Sequence, residues 1–337
     1  MDRRTLAAFL ATSVLFGGTF VATKAGLAHF PPLLFVSLRF DLAAVALLGY
    51  AAVTVPRADL FPRSRADVAG ILATGVLSIG LTNALVYVGQ QYATSAVAAI
   101  VVSLNPILTP VFAAVLLADE RLSARGVGGL LLGVFGVGLV VGPAPGALLG
   151  DAVGMAVLFV GAVSGALGSV LIRWADDDLP STARTAWGLP FGALLCHLLS
   201  LSAGESVAAV TWSPVALLAL GYVGLLAGAV AYIAYFGLLD DVGAIRANLV
   251  FYLVPVVTAL GGWALLGEPI STLAVAGFLV IFAGFALLGS DSLDVRARLP
   301  FGRDSLDVRA RLPFGTPTSV DDDATEAYAE SHGCRAD

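Results

Sequence analysis

Apolar runs of about 20 residues recur along the chain with short polar breaks, the length needed to cross the hydrocarbon of a bilayer as a helix. They predict ten spans, at 5–27, 33–54, 67–88, 94–117, 124–142, 151–173, 184–203, 213–236, 244–266 and 271–289. The breaks carry turn and cap chemistry: Pro31-Pro32, Pro56, Gly142-Pro143, Asp176 to Pro180, and Gly267-Glu268-Pro269. Connections this short make neighbouring spans antiparallel. Arg3 and Arg4 followed by an apolar run resemble a signal peptide, but further apolar runs follow, so this run reads as the first span.

Arginine placement orients the spans. With the N-terminus inside, the inner connections hold Arg57, Arg63 and Arg65, then Arg121 and Arg125, Arg173 and Arg184, and Arg246. The outer connections hold only Lys24, at the end of span one. The expectation is a multi-pass protein of the cytoplasmic membrane with both termini cytoplasmic.

The chain also repeats. Residues 94–106, ending Asn105-Pro106, lie over residues 243–255, ending Val254-Pro255, at an offset of 149. Each copy runs on to an acidic turn, with Glu120 in one and Glu268 in the other, and then to a glycine-rich helix. The same offset sets Lys24 over Arg173. Five spans per half is odd, so the halves cross the membrane in opposite senses. The predicted fold is an all-α membrane protein of ten transmembrane helices in two inverted five-helix repeats, residues 5–142 and 150–289. Inverted repeats are the architecture of alternating-access carriers, with the solute near the midplane. In the remaining 290–337, residues 291–302 recur unchanged at 304–315, and Asp321-Asp322-Asp323 follow. That mixed-charge, proline-containing tail is expected to be a disordered cytoplasmic segment.

Composition strengthens the membrane reading. Of 337 residues, 58% are hydrophobic and 12% charged, about half the charged share of a soluble domain. The net charge of −6 leaves no basic excess for nucleic acid. The two cysteines, Cys196 and Cys334, lie in different environments, and no metal spacing, phosphate loop or nucleophile elbow is present. No cofactor or metal is expected, and an enzyme is disfavoured.

Several motifs occur in a telling order: Phe16-Gly17-Gly18-Thr19-Phe20-Val21-Ala22-Thr23-Lys24, Pro31-Pro32, Arg39-Phe40, Ala93-Thr94-Ser95-Ala96, Asn105-Pro106, and Asp119-Glu120-Arg121-Leu122-Ser123 before a glycine-rich helix. Over residues 5–289 the chain resembles the EamA family of the drug/metabolite transporter superfamily. The resemblance implies a ten-helix secondary carrier, often an exporter of metabolites, amino acids or drugs. The family often has Trp where Phe16 stands here. Asp41 is also unexpected at its place.

Polar residues inside the spans are the candidate chemistry, since charge within lipid is costly unless paired or wet. The candidate cavity comprises Lys24, Arg39, Asn83, Tyr87, Asn105, Tyr232, Tyr235, Asn248 and Tyr252. Lys24 and Arg39 either attract an anionic group of the solute or brace the helices. Asp41 is the proton-coupling candidate, against the plainer reading of a bond to a neighbouring helix. Pro106 and Pro255 are expected to kink spans four and nine. Glu120 and Glu268 read more simply as turn residues, and Cys196-His197 as packing with no partner acid. Glycines in spans five and ten predict close packing on each other or on a second copy, so a homodimer is one expected assembly. The expected partners are a small-molecule substrate and the lipid bilayer. The rival to a secondary active transporter is a non-transporting membrane sensor or scaffold.

Overall fold

The computed structural model describes residues 3–117, 124–141, 149–242 and 250–298. Among these every regular element is helical. Ten long helices follow one another: α1 (Arg3–Gly26), α2 (Pro32–Thr54), α3 (Arg65–Gly89), α4 (Ser95–Leu116), α5 (Ala124–Val141), α6 (Leu149–Ala175), α7 (Ser181–Ser202), α8 (Pro214–Leu238), α9 (Val250–Leu266) and α10 (Thr272–Arg298). Seven are apolar and long enough to cross a membrane, and α5, α9 and α10 contribute shorter apolar stretches, Val127–Val140, Leu253–Leu266 and Thr272–Gly284. These are the ten spans the hydropathy pattern predicts, in two inverted sets of five.

Local chemistry fixes the ends. Pro32 opens α2 at a position where its missing N–H costs nothing, and the helix stops ahead of Pro56. Ser64 and Asp67 form a capping box on α3, Thr94 caps α4 and Ser213 caps α8. Left-handed residues close three helices: Asp176 (φ 50°) after α6, Gly204 (φ 72°) after α7 and Gly267 (φ 67°) after α9.

The chain divides into two units, 1–293 and 294–337, and of the second only 294–298 are described. Helix α10 is described through Arg298, into the segment read from sequence as the tail. No Gly or Pro interrupts residues 291–298. Residues 299–337 lie outside the described residues.

The core of the first unit sits between α2 and α7, around Phe35, Phe40, Leu47, Leu189, Cys196 and Val223. Large apolar side chains cover the outside, such as Val45 at 76% and Leu201 at 72% exposure. Water would not tolerate that surface, but lipid matches it.

Two features were not legible in the hydropathy pattern. First, α3 and α8 each contain nine residues of π-helix, Ala73–Leu81 and Tyr222–Val230. Adding 149 to 73 and 81 gives 222 and 230, so the repeat found in sequence recurs as the same backbone irregularity. Side chains satisfy the carbonyls it loosens: Leu77 O accepts from Thr82 Oγ1 (2.8 Å) and from Ser164 Oγ of α6 (3.0 Å). Second, each π stretch leans on a helix of the other half through glycine. Gly75 of α3 meets the backbone of Gly188 in α7, and Gly224 of α8 meets Leu42 of α2.

Proline acts more strongly in α4 than in α9. The α4 hydrogen-bond ladder breaks at Ser103-Leu104 and restarts at Asn105, with Pro106 in the first turn of the new segment. Pro255 lies inside a continuous helix. The α5 and α10 glycines do pack on each other: Gly136 against Gly277 and Ile281, and Gly284 against Gly129 and Leu132.

Candidate functional site

Arg39 sits on α2 and is 5% exposed. Its Nη1 donates to Asn83 Oδ1 (3.0 Å) and to Tyr87 Oη (3.3 Å), both on α3. Asn83 is held by its own helix, Nδ2 donating to Ile79 O at 2.8 Å inside the π stretch, which turns Oδ1 toward Arg39. Tyr87 is buried and rests edge-on against Phe35, ring centroids 5.3 Å apart. The guanidinium carbon lies 5.3 Å from the Phe40 ring centre and 5.8 Å from that of Tyr87, within cation–π range. Arg39 Nε is buried without a hydrogen-bond partner. No carboxylate among the described residues pairs with this charge, whose contacts are all neutral. A buried charge so placed costs several kcal/mol.

Tyr232 lies on α8, in the second half of the chain. It belongs to an aromatic group: Phe16 of α1 meets Tyr232 edge-on at 5.4 Å, Tyr235 at 6.1 Å and stacks on Phe251 of α9 at 5.8 Å. First-half and second-half residues therefore share one cluster. Asn105 makes a local bond with Thr109 (3.3 Å) at the α4 break, close to Gly165 of α6. Asn248 and the side chain of Tyr252 lie outside the described residues.

Lys24 belongs to a different constellation, at the end of the bundle where α1 stops. Its Nζ donates to Gln90 O and Ala93 O, both at 2.8 Å, fastening α1 to the turn between α3 and α4. Glu268, from the second half, reaches the same end of the bundle. Its carboxylate accepts from Ser95 N (3.1 and 3.0 Å) and from Ser95 Oγ (3.3 Å), at the first turn of α4. An anion at a helix N-terminus meets free N–H groups and the positive end of the dipole. Gln90 Nε2 donates to Phe20 O (2.6 Å), tightening the same junction. Glu268 is thus more than a turn residue: it joins the halves. Glu120 lies outside the described residues.

Asp41 points away from Arg39, as two residues along a helix require. Its Oδ2 lies 2.8 Å from His197 Nε2 of α7, so His197 does have a partner acid. The two side chains are 47% and 38% exposed, on a stripe that also carries exposed Val45, Leu194 and Leu198. That outer stripe is poorly placed for proton coupling to the Arg39 cluster, and the pair braces α2 on α7. Asp41→Asn is expected to cost about 1 kcal/mol or less in detergent unfolding. Flux measured with and without a pH gradient is expected to match the wild type. A difference confined to the pH-gradient condition, at unchanged stability, would give Asp41 a part in coupling.

The α2–α7 pair is also fastened at both ends. Glu205, after α7, accepts from Leu33 N (3.2 Å) and Leu34 N (2.6 Å) at the start of α2. At the opposite end Trp187 Nε1 of α7 donates to Leu60 O (2.8 Å). Gln90, Ser95, Glu205 and His197 were not among the candidates read from sequence. Each is a common residue whose importance lies in a cross-helix partner that no local pattern marks.

The family model described as "EamA-like transporter family" matches the chain twice, over residues 3–142 and 152–290. The uncharacterized transporter YoaV of Bacillus subtilis (strain 168) is 27% identical over 286 residues, covering 83% of this chain and 95% of its own. The uncharacterized inner membrane transporter YedA of Escherichia coli (strain K12) is 28% identical over 279 residues, covering 82% and 88%. A solved crystal structure superposes with a TM-score of 0.59 at 20% identity, covering 88% of this chain and 100% of that one, and shows the fold alone. With both halves matched in tandem, the chain belongs to the EamA-like transporter family and is a membrane transporter.

Proposed function

We propose that this chain is a secondary carrier that moves a small metabolite across the cytoplasmic membrane by alternating access, in the direction of export. Both termini face the cytoplasm, as the arginine bias suggests, so the Lys24 end faces outward. One observation carries the reading: the halves meet in two chemically different ways. Along α2–α7 the contact is broad, apolar and fastened at both ends. At the Lys24 end it is a small polar junction, the Glu268 carboxylate on Ser95 N and Oγ. A rocking carrier needs one interface that holds and another that opens, and hydrogen bonds to charged groups in reach of water are exchangeable for bonds to water. The Arg39 cluster lies on α2 and α3, beside the interface that holds.

Full-length protein in proteoliposomes is expected to catalyse counterflow of at least one member of a metabolite panel. Absence of any exchange, with correctly inserted protein, would overturn the carrier reading. Cutting the chain after Arg298 is expected to leave flux within about twofold, because a carrier core is complete in its ten helices. A truncated protein that inserts normally but transports nothing would favour a role residing in the tail.

A further inference from the structure

We infer that Arg39 is the anion subsite of the transported solute, and that the solute is a small monocarboxylate with an apolar body. The inference rests on the carrier reading above.

A guanidinium has two edges that can grip a carboxylate with parallel hydrogen bonds. In Arg39 both hydrogen bonds leave from Nη1, to Asn83 and Tyr87. They pin the group in position without neutralising it. The opposite edge, Nε with Nη2, donates no hydrogen bond among the described residues, and Nε is fully buried. A buried charge with one edge anchored and the other bare is arranged for a bidentate acceptor. Lys24 has its donors on two backbone carbonyls, and Asp41 faces His197. Arg39 therefore lacks an internal counter-ion among the described residues.

The charge also limits the ligand. One guanidinium balances one negative charge, which suits a carboxylate better than a phosphate dianion. Around it stand Phe40 and Tyr87. Those rings favour an apolar remainder. At 5% exposure the group is closed off in this conformation, so a solute reaches it when the Lys24 end of the bundle opens.

The test uses matched triplets sharing one branched alkyl body: 4-methylpentanoate, 4-methylpentanamide and isopentylamine, with shorter and longer homologues. Full-length protein is examined by thermal shift in detergent and by counterflow in proteoliposomes. The acids are expected to raise the melting temperature of the wild type with saturable concentration dependence, and the amides and amines are not. Arg39→Gln is expected to weaken acid binding at least about tenfold. Arg39→Lys keeps the charge but loses the fork, and is expected to restore it only in part. The ligand-free melting temperature of Arg39→Gln is expected to hold or rise, since an uncompensated charge is removed. A merely structural arginine would instead lower it and leave ligand selectivity intact. If no triplet is acid-selective, or if Arg39→Gln binds acids like the wild type, the anion subsite is wrong. In that case counterflow of neutral or cationic solutes would leave the carrier reading standing, whereas no counterflow of any solute would remove both.

Discussion

Replacing Glu268 by alanine is expected to open the Lys24 end of the bundle. The carboxylate caps the first turn of α4 through Ser95 N and Oγ, so its loss removes a helix cap and charge-assisted bonds together. The combined effect is about 2 kcal/mol, which shifts the balance between closed and open states roughly 30-fold. Thr23, next to Lys24 and buried at 1% exposure, provides the reporter. With Cys196→Ala and Cys334→Ser removing the native thiols, a cysteine at position 23 should react slowly with an impermeant maleimide. Adding Glu268→Ala should accelerate labelling by at least about tenfold. Counterflow should fall in the same variant, because a carrier biased toward one state cycles poorly. Unchanged labelling would show that the junction does not hold this end closed. Glu268→Gln separates the two contributions: it retains an acceptor for Ser95 but not the negative charge at the helix start, and should give an intermediate rate.

The second large effect belongs to the fold. A Cβ at Gly75 would meet the backbone of Gly188, with the carbonyl carbon at 2.8 Å and Cα at 2.9 Å. Backbone cannot rotate aside as a side-chain tip does, so α3 and α7 would have to separate. Gly75→Ala is expected to destabilise the protein by about 3 kcal/mol, read as a lower unfolding midpoint in detergent and a smaller folded yield. Gly49→Ala, on α2 with nothing within 4 Å of its built Cβ, is the control and should be neutral or slightly stabilising. If the two variants melt together, α3 and α7 do not depend on that approach.

These two residues also show where sequence reading succeeds and where it stops. Pro32, Ser64, Thr94 and Ser213 announce helix starts because caps and N1 prolines act on their own helix. The inversion was legible because duplication preserved an offset of 149 and an odd span count. Arg39, Asn83 and Tyr87 could be singled out as polar residues in apolar runs, and the structure brings them together. The π stretches could not be seen, since a helix widened by i→i+5 bonding has no distinctive periodicity over nine residues. Nor could the bond between Asp41 and His197, 156 residues apart, because only the packing of α2 on α7 makes them neighbours.

Subtracting the repeat offset from 188 gives 39, so Arg39 of α2 stands where the second half has Gly188. The two halves are copies in backbone and strangers in charge. A glycine there is what lets Gly75 settle against α7, and its counterpart in α2 is free to carry a guanidinium. On the anion-subsite reading proposed above, the charged end of the solute has a single handle, and that handle belongs to one half only. On that reading the solute need not turn over or change hands as the halves rock: it would ride with the first half while the second slides past its uncharged end.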